Sequence, residues 1–276
     1  MKTPSTSTST DARERRTIRE LAKSARGGVL TLSRAATALD ATPSTASVVL
    51  ASLARRGWLK RLRRGLYLVL PLEAESRTSG VVEDAWLLAA ELFSPCYIAG
   101  WSAAEHWGLT EQIFRSTFVA TATRVRRSRV NVAGAEFQLA QIPKRRLEGV
   151  GTAWRASERV SLSSPERTIA DGLMDPTWLG GVRHLADIFR AHRESKAWRP
   201  EQLLADLEAI GTGAAFKRLG FLVEALDLDA PKFIEIALTR RTTGVVKLDP
   251  AIRSRGRLLK RWGLWVNAAV GLEARG

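Results

Sequence analysis

Residues Leu30–Leu70, LTLSRAATALDATPSTASVVLASLARRGWLKRLRRGLYLVL, constrain this chain more than any other stretch. Two helix-like segments, Ser33–Leu39 and Thr42–Arg56, are joined by a tight Asp40-Ala41 turn. Gly57 stops the second, as glycine does just past a helix C-terminus. Two apolar-aromatic runs follow, Trp58–Leu62 and Leu66–Leu70, around the turn Arg63-Arg64-Gly65. Gly65 supplies the positive-φ freedom that a tight hairpin turn demands. Two helices followed by a hairpin with cations at its tip is the order of a winged helix-turn-helix, a DNA-binding head.

Local signals sharpen this reading. Asp11–Ser24 is expected to form a first helix with Ile18, Leu21 and Ala22 on its inner face. Gly27-Gly28 breaks it, and Val29–Leu32 leads into the next element. Ser33 is the expected N-cap there, with Ala35, Ala36 and Leu39 inward. Thr42-Pro43 is a stronger start signal, a capping hydroxyl followed by proline at the first helical position. In the helix it opens, Ala46, Val49, Leu50 and Leu53 share the inner face, leaving Ser44, Thr45, Ser47, Val48 and Ser52 outside.

A recognition helix touches base edges from its N-terminal residues. Ser44, Thr45, Ser47 and Val48 are therefore the candidate base-side contacts, and Thr42, the cap, is a further candidate at the DNA surface. Hydroxyls pair promiscuously, and no Asn, Gln or Arg stands among them to make a bidentate base contact. Specificity then rests partly on DNA shape or on the wing. Each hydroxyl also has a purely structural use, as cap or solvent face. Arg55, Arg56, Lys60, Arg61, Arg63 and Arg64 put six cations within ten residues, and they are the candidate phosphate contacts.

Charge placement agrees with a polyanion at the head. The 276 residues carry a net charge of +15. Residues 1–71 hold 14 Lys/Arg against 4 Asp/Glu, residues 251–276 hold 6 against 1, and the middle is balanced. A basic head, a neutral body and a basic tail fit nucleic acid better than evenly spread solubility charge. The single cysteine, Cys96, rules out an intrachain disulfide and fits a cytoplasmic location. The N-terminus lacks the apolar core of a signal peptide, and no run of about 18 apolar residues suggests a membrane span.

The expected organisation is α+β. A disordered Ser/Thr-rich tail occupies 1–10, a winged helix-turn-helix 11–71 and a linker 72–80. A larger mixed α+β domain follows over 81–276. Within it, helices are expected at Val82–Phe93, at Ala103–Trp107 capped by Ser102, and from Ser164-Pro165-Glu166 to about Met174. Further helices are expected at Val182–His192, Pro200–Ile210 and Ala214–Ala225. Cys96–Ala99, Thr117–Ala122, Arg129–Val132, Glu136–Ile142 and Arg159–Leu162 suggest a small, mostly antiparallel sheet. The arginines of 124–129 and Lys144–Arg146 read as solvated loop charge or as an extension of a DNA surface. The tail residues Arg253, Arg255, Arg257, Lys260 and Arg261 read either as a second nucleic-acid surface or as a basic cover anchored by Trp262, Trp265 and Val266.

Three stretches carry a family resemblance: GWLKRLRRGLYLVLP at Gly57–Pro71, YIAGWSAAEHWGLTEQ at Tyr97–Gln112 and LSSPERTIADGL at Leu162–Leu173. In this order and spacing the chain, from about Leu30 onward, resembles the AbiEi-type antitoxins of AbiE abortive-infection (type IV toxin–antitoxin) systems. The resemblance implies a repressor that binds inverted repeats in double-stranded operator DNA at its own promoter. It also implies antitoxicity, from the larger domain, toward a nucleotidyltransferase-like toxin without a stable complex. A monomer or a DNA-assisted oligomer is expected.

No catalytic residue, metal site or cofactor is expected. A winged-helix-fused nuclease would need an Asp and a Glu-x-Lys on adjoining strands to hold a divalent metal, and AEFQLAQ has Glu136, Phe137 and Gln138 with no lysine. His106, His184 and His192 lack paired metal spacing, and Glu105-His106 is expected to pack within the body. Ser163-Ser164 has no G-x-S-x-G around it and reads as a helix cap. A regulator whose body binds a metabolite is the further alternative.

Overall fold

A computed structural model describes residues 6–70, 82 and 84–270 of the chain. It is a mixed α+β protein that divides into two compact units. The first comprises Met1–Leu92, Arg129–Phe137 and Trp154–Glu158; the second comprises Phe93–Ser128, Gln138–Ala153 and Arg159–Gly276. The linker expected at 72–80 lies outside the described residues.

The first unit opens with α1 (Thr6–Ser24), β1 (Val29–Thr31), α2 (Leu32–Ala38) and α3 (Pro43–Arg55). A hairpin follows, β2 (Leu59–Arg63) and β3 (Leu66–Val69), and then α4 (Ala85–Phe93). β3 lies between β1 and β2, antiparallel to both, with Leu30 opposite Tyr67 and Lys60 opposite Leu68. A register shift between Arg61 and Arg63 precedes the turn, where Gly65 has φ +73°. Ile18, Leu21, Leu30, Ala35, Leu50, Leu53, Trp58, Leu59 and Tyr67 bury one continuous core beneath the helices.

Several local expectations need correction. The first helix begins at Thr6, not Asp11, so Thr6–Thr10, read as disordered tail, are helical. The run RRTIREL supplies an amphipathic turn to nucleate it, from which the helix extends. Ala22 is exposed, because Ile18 and Leu21 alone fill the inner stripe. The cap of α2 is Thr31, whose Oγ1 accepts the Arg34 amide at 3.2 Å; Ser33 is exposed inside the first turn. α4 starts at Ala85 because the Asp84 carboxylate accepts the Trp86 and Leu87 amides at 2.8 and 3.2 Å.

The second unit contains β4 (Cys96–Ile98), α5 (Gly100–His106) and β5 (Ser116–Thr121). β6 (Arg129–Val132), β7 (Ala135–Gln141), β8 (Gly151–Arg155) and β9 (Glu158–Leu162) complete a six-stranded sheet of order β6-β7-β5-β4-β9-β8. β6, residues 135–137 of β7, residues 154–155 of β8 and Glu158 of β9 belong to the first unit. β4 runs antiparallel to β5 but parallel to β9, with Ile98 opposite Leu162, so the sheet is larger and more mixed than expected.

Five helices follow: α6 (Pro165–Met174), α7 (Val182–Arg193), α8 (Pro200–Ile210), α9 (Gly213–Ala225) and α10 (Pro231–Arg240). Their apolar faces form the main core through Ile169, Leu173, Phe189, Leu207, Leu219 and Leu222. α5 is not capped by Ser102. The helix begins at Gly100, and the buried Ser102 hydroxyl accepts the Phe118 amide at 2.9 Å.

The tail forms a small sheet, with β12 (Leu264–Val266) between β10 (Val246–Lys247) and β11 (Arg257–Leu259). Trp262 anchors it: the indole is fully buried and donates through Nε1 to Glu224 Oε2 at 2.6 Å. Gly220 of α9 makes room for that ring, since a Cβ there would lie 2.1 Å from the indole. Arg261 pairs with Glu224 at 2.7 Å and Arg255 lies over the Trp265 ring. Arg253, Arg257 and Lys260 are exposed.

Candidate functional site

Among the described residues, an exposed face in the first unit and a cavity in the second are candidates for binding.

The exposed face starts at the N-terminus of α3. Thr42 caps the helix, its Oγ1 accepting the Thr45 amide at 3.3 Å and lying 2.9 and 3.0 Å from the Ser44 and Thr45 hydroxyls. That hydroxyl is committed to the cap. Ser44, Thr45 and Ser47 point to solvent, and Val48, beside them, is 69% exposed. Ala46, Leu50 and Leu53 hold the opposite side of the helix in the core, which fixes the orientation of the exposed one.

The six expected cations are all exposed, yet they are not equivalent. Arg56 is paired with Glu14. Arg63 is turned onto the end of α4, donating to the Glu91 and Leu92 carbonyl oxygens at 2.9 and 3.0 Å. α4 has no basic residue in its own last turn, so a distant guanidinium supplies the positive charge its C-terminus favours. Arg34 reinforces the same place through a 2.6 Å bond to the Glu91 carboxylate. Arg55, Lys60, Arg61 and Arg64 have no side-chain partner among the described residues.

The cavity in the second unit has a volume of about 630 Å³ and sits at the start of α6. Ser164 caps that helix by accepting the Arg167 amide at 3.1 Å, with Pro165 at the first position, as the sequence implies. Glu166 is only 4% exposed. Its Oε1 accepts His192 Nε2 at 2.9 Å and the Arg199 amide at 3.2 Å. His192 Nδ1 lies 3.3 Å from the Ser195 hydroxyl. With Nε2–H given to the carboxylate, Nδ1 is left to accept the Ser195 proton. One wall is Trp107, whose Nε1 donates to the Ser163 carbonyl at 2.7 Å while 41% of the residue stays exposed.

Beside this cavity, Asp171 is wholly buried and holds a charged network together. Oδ1 accepts Arg146 Nη2 at 2.6 Å and Arg167 Nε at 3.4 Å, and Oδ2 accepts the Tyr97 hydroxyl at 2.8 Å. Arg167 also donates to the Arg146 and Glu148 carbonyls at 2.6 and 3.3 Å. Arg146 is therefore neither solvated loop charge nor part of a DNA surface. It is buried because Asp171 needs a counter-charge. Burial, and then the Asp171 charge, push the Tyr97 phenol above its ordinary range. Asp206 is raised by burial, opposed by Arg167, and accepts Gln202 Nε2 at 3.2 Å.

The remaining candidates are structural in their surroundings. His184 bonds Thr110 Oγ1 at 2.7 Å and the Leu179 carbonyl at 2.6 Å. Glu105 and His106 are exposed, not packed inside the body, because α5 turns Ser102, Ala103 and Ala104 inward instead. Burial pushes the Cys96 thiol up to about 12. Among the described residues no group of His, Cys, Asp and Glu can hold a metal ion, and no helix is long and apolar enough to cross a membrane.

The sequence signals missed the cavity, because Glu166 and His192 are 26 residues apart and meet only when α7 packs on α6. The one clue was Ser164-Pro165-Glu166, read as a cap and an early acid.

No family model and no curated protein matches the chain. The fold is similar to the crystal structure of the RV2827C protein from Mycobacterium tuberculosis, with a TM-score of 0.57 and 18% identity. The match covers 90% of this chain and 89% of that one.

Proposed function

We propose that the first unit is a winged helix-turn-helix and that the chain is a DNA-binding transcriptional repressor. The observation that carries this reading is the pairing of an exposed Ser44-Thr45-Ser47-Val48 face on α3 with an adjoining hairpin. The hairpin's Lys60, Arg61 and Arg64 have no protein partner among the described residues. α2, the Asp40-Ala41 turn and α3 are the helix-turn-helix of this reading, and β2–β3 is the wing.

The α3 face meets the major groove, where hydroxyls bond base edges and Val48 contacts a thymine methyl group. The wing cations lie on phosphates. Arg55, at the C-terminal end of α3, adds another. Arg56 and Arg63 contribute less, because each already has a partner in the protein. The net charge of +15, concentrated at the head, supports association with a polyanion.

The resemblance to AbiEi-type antitoxins supports a narrower version. The chain represses its own operon through inverted repeats and counters a nucleotidyltransferase-like toxin without a stable complex, in the cytoplasm, as a monomer or a DNA-assisted oligomer. Footprinting on the DNA upstream of its own gene tests the first part: a protected inverted repeat is expected, and uniform protection of any sequence contradicts repression by operator recognition. Co-expression with a nucleotidyltransferase encoded in the next frame tests the second, with growth rescued by the full chain. Failure of rescue leaves an operator-binding regulator and removes the antitoxin role.

A second reading, a ligand-responsive winged-helix regulator, is favoured by the cavity beside α6.

A further inference from the structure

We propose that the cavity at the start of α6 is a small-molecule site. Its ligand carries a flat ring, a nitrogen donor and an anionic group. This inference concerns the second unit alone and does not depend on the DNA-binding reading.

The volume, about 630 Å³, is in the range of sites that enclose a metabolite-sized molecule. Three features of the wall define what fits. The first is Trp107. Its N–H is already satisfied by the Ser163 carbonyl, so the indole is held in one orientation and what it offers the cavity is ring surface. A residue that large, 41% exposed and locked in place, is a preformed stacking platform for a flat group.

The second feature is Glu166. Its Oε1 takes both protein hydrogen bonds, from His192 and from the Arg199 amide, while Oε2 has no partner among the described residues. The side chain lines the cavity and is more than nine-tenths buried. The side chain is nearly enclosed, yet Oε2 keeps access to the cavity, so a donor on a ligand can reach it. An ammonium, amidine or ring N–H from a ligand satisfies it.

The third feature is Arg199. Its backbone amide is tied to Glu166, which fixes where the residue starts, and its guanidinium has no partner among the described residues. It lines the same cavity and faces solvent. An unengaged guanidinium beside a buried carboxylate suits the acid group of a ligand whose nitrogen meets Glu166. Gly108, Gly149 and Gly151 line the wall without side chains, so backbone groups are open to close approach. The Ser195 hydroxyl, which the His192 ring orients, adds a further polar contact.

Two common molecules share this chemistry. An aromatic amino acid would set its ammonium on Glu166, its carboxylate on Arg199 and its ring on Trp107. A nucleoside monophosphate would set a base N–H on Glu166, its phosphate on Arg199 and the base on Trp107.

Isothermal titration of the full chain separates these sources, using L-phenylalanine and L-tryptophan in one arm and AMP and CMP in the other. Each is compared with its counterpart lacking the acid group, phenethylamine or tryptamine, adenosine or cytidine. One arm is expected to titrate at a 1:1 ratio, with affinity at least about tenfold weaker for the acid-free counterpart. Arg199→Gln, at an exposed position, should weaken the acid-bearing ligand by about the same factor and leave the counterpart unaffected. Trp107→Leu should weaken both, with circular dichroism checking that each variant folds as the parent does. Absence of binding in both arms at millimolar ligand overturns the proposal. So does binding that neither substitution alters.

Discussion

Arg63 donates through Nη2 to the backbone oxygen of Glu91, 2.9 Å away, and through Nη1 to that of Leu92 at 3.0 Å. A cation of the hairpin is thus the counter-charge for the open end of α4. Arg63→Ala should change the salt dependence of DNA binding less than loss of Arg61 or Arg64 does. It should lower stability by about 0.5–1 kcal/mol, the usual size of a charge interaction with a helix end. Parallel thermal melts and salt titrations of the variant check both halves.

Among the described residues, Asp171 alone of the acids bonds Arg146, Arg167 and Tyr97 together. Asp171→Asn removes the charge and leaves two guanidiniums under-compensated in a buried site. It should destabilise the chain by roughly 3–5 kcal/mol, read as a shifted urea midpoint. Tyr97→Phe, which removes one hydroxyl donor and no charge, should lower stability by about 1 kcal/mol.

Gly220 is where α9 admits the Trp262 ring. A Cβ at that position would lie 2.1 Å from the indole, so Gly220→Ala forces Trp262 or the helix to shift. Overpacking of this kind costs about 1–3 kcal/mol. The expected result is a lower denaturation midpoint together with a changed tryptophan emission, since the bond from Trp262 Nε1 to Glu224 is disturbed.

Asp206 should make stability fall with rising pH. Burial raises its pKa above the ordinary 3.8, so between that value and the raised one the folded chain keeps a proton the unfolded chain has released. The folded state binds more protons there, and stability is lost as pH increases through that interval. Asp206→Asn, which cannot ionise, should be the more stable protein at pH 7. The difference should shrink as the pH is lowered toward 4, measured by thermal melts across the range.

Much of the local structure was written in adjacent residues. Thr42-Pro43 and Ser164-Pro165 mark the starts of α3 and α6, and Pro200–Ile210 and Arg129–Val132 are observed at the bounds their patterns imply. What was not legible depends on partners distant in the chain. α10 announces itself weakly, with only Phe233 and Ala237 buried along ten residues. β8 alternates too little to stand out, since Ala153 is its one buried side chain. The parallel pairing of β4 with β9 joins Ile98 to Leu162 across most of the sheet's sequence. For the same reason the cations of the head look alike in sequence. Only the positions of Glu14, Glu91 and Leu92 separate Arg56 and Arg63 from Arg61 and Arg64.

That separation gives the most direct test of a DNA-binding head. Binding of a duplex from the chain's own upstream region is measured across a salt series for the parent and for Arg61→Ala with Arg64→Ala. The slope of log K against log salt should fall by roughly 0.9 for each side chain removed, equally on operator and on random DNA. A slope that matches the parent's would contradict the assignment of the β2–β3 hairpin to the phosphate backbone, and with it the winged-head account.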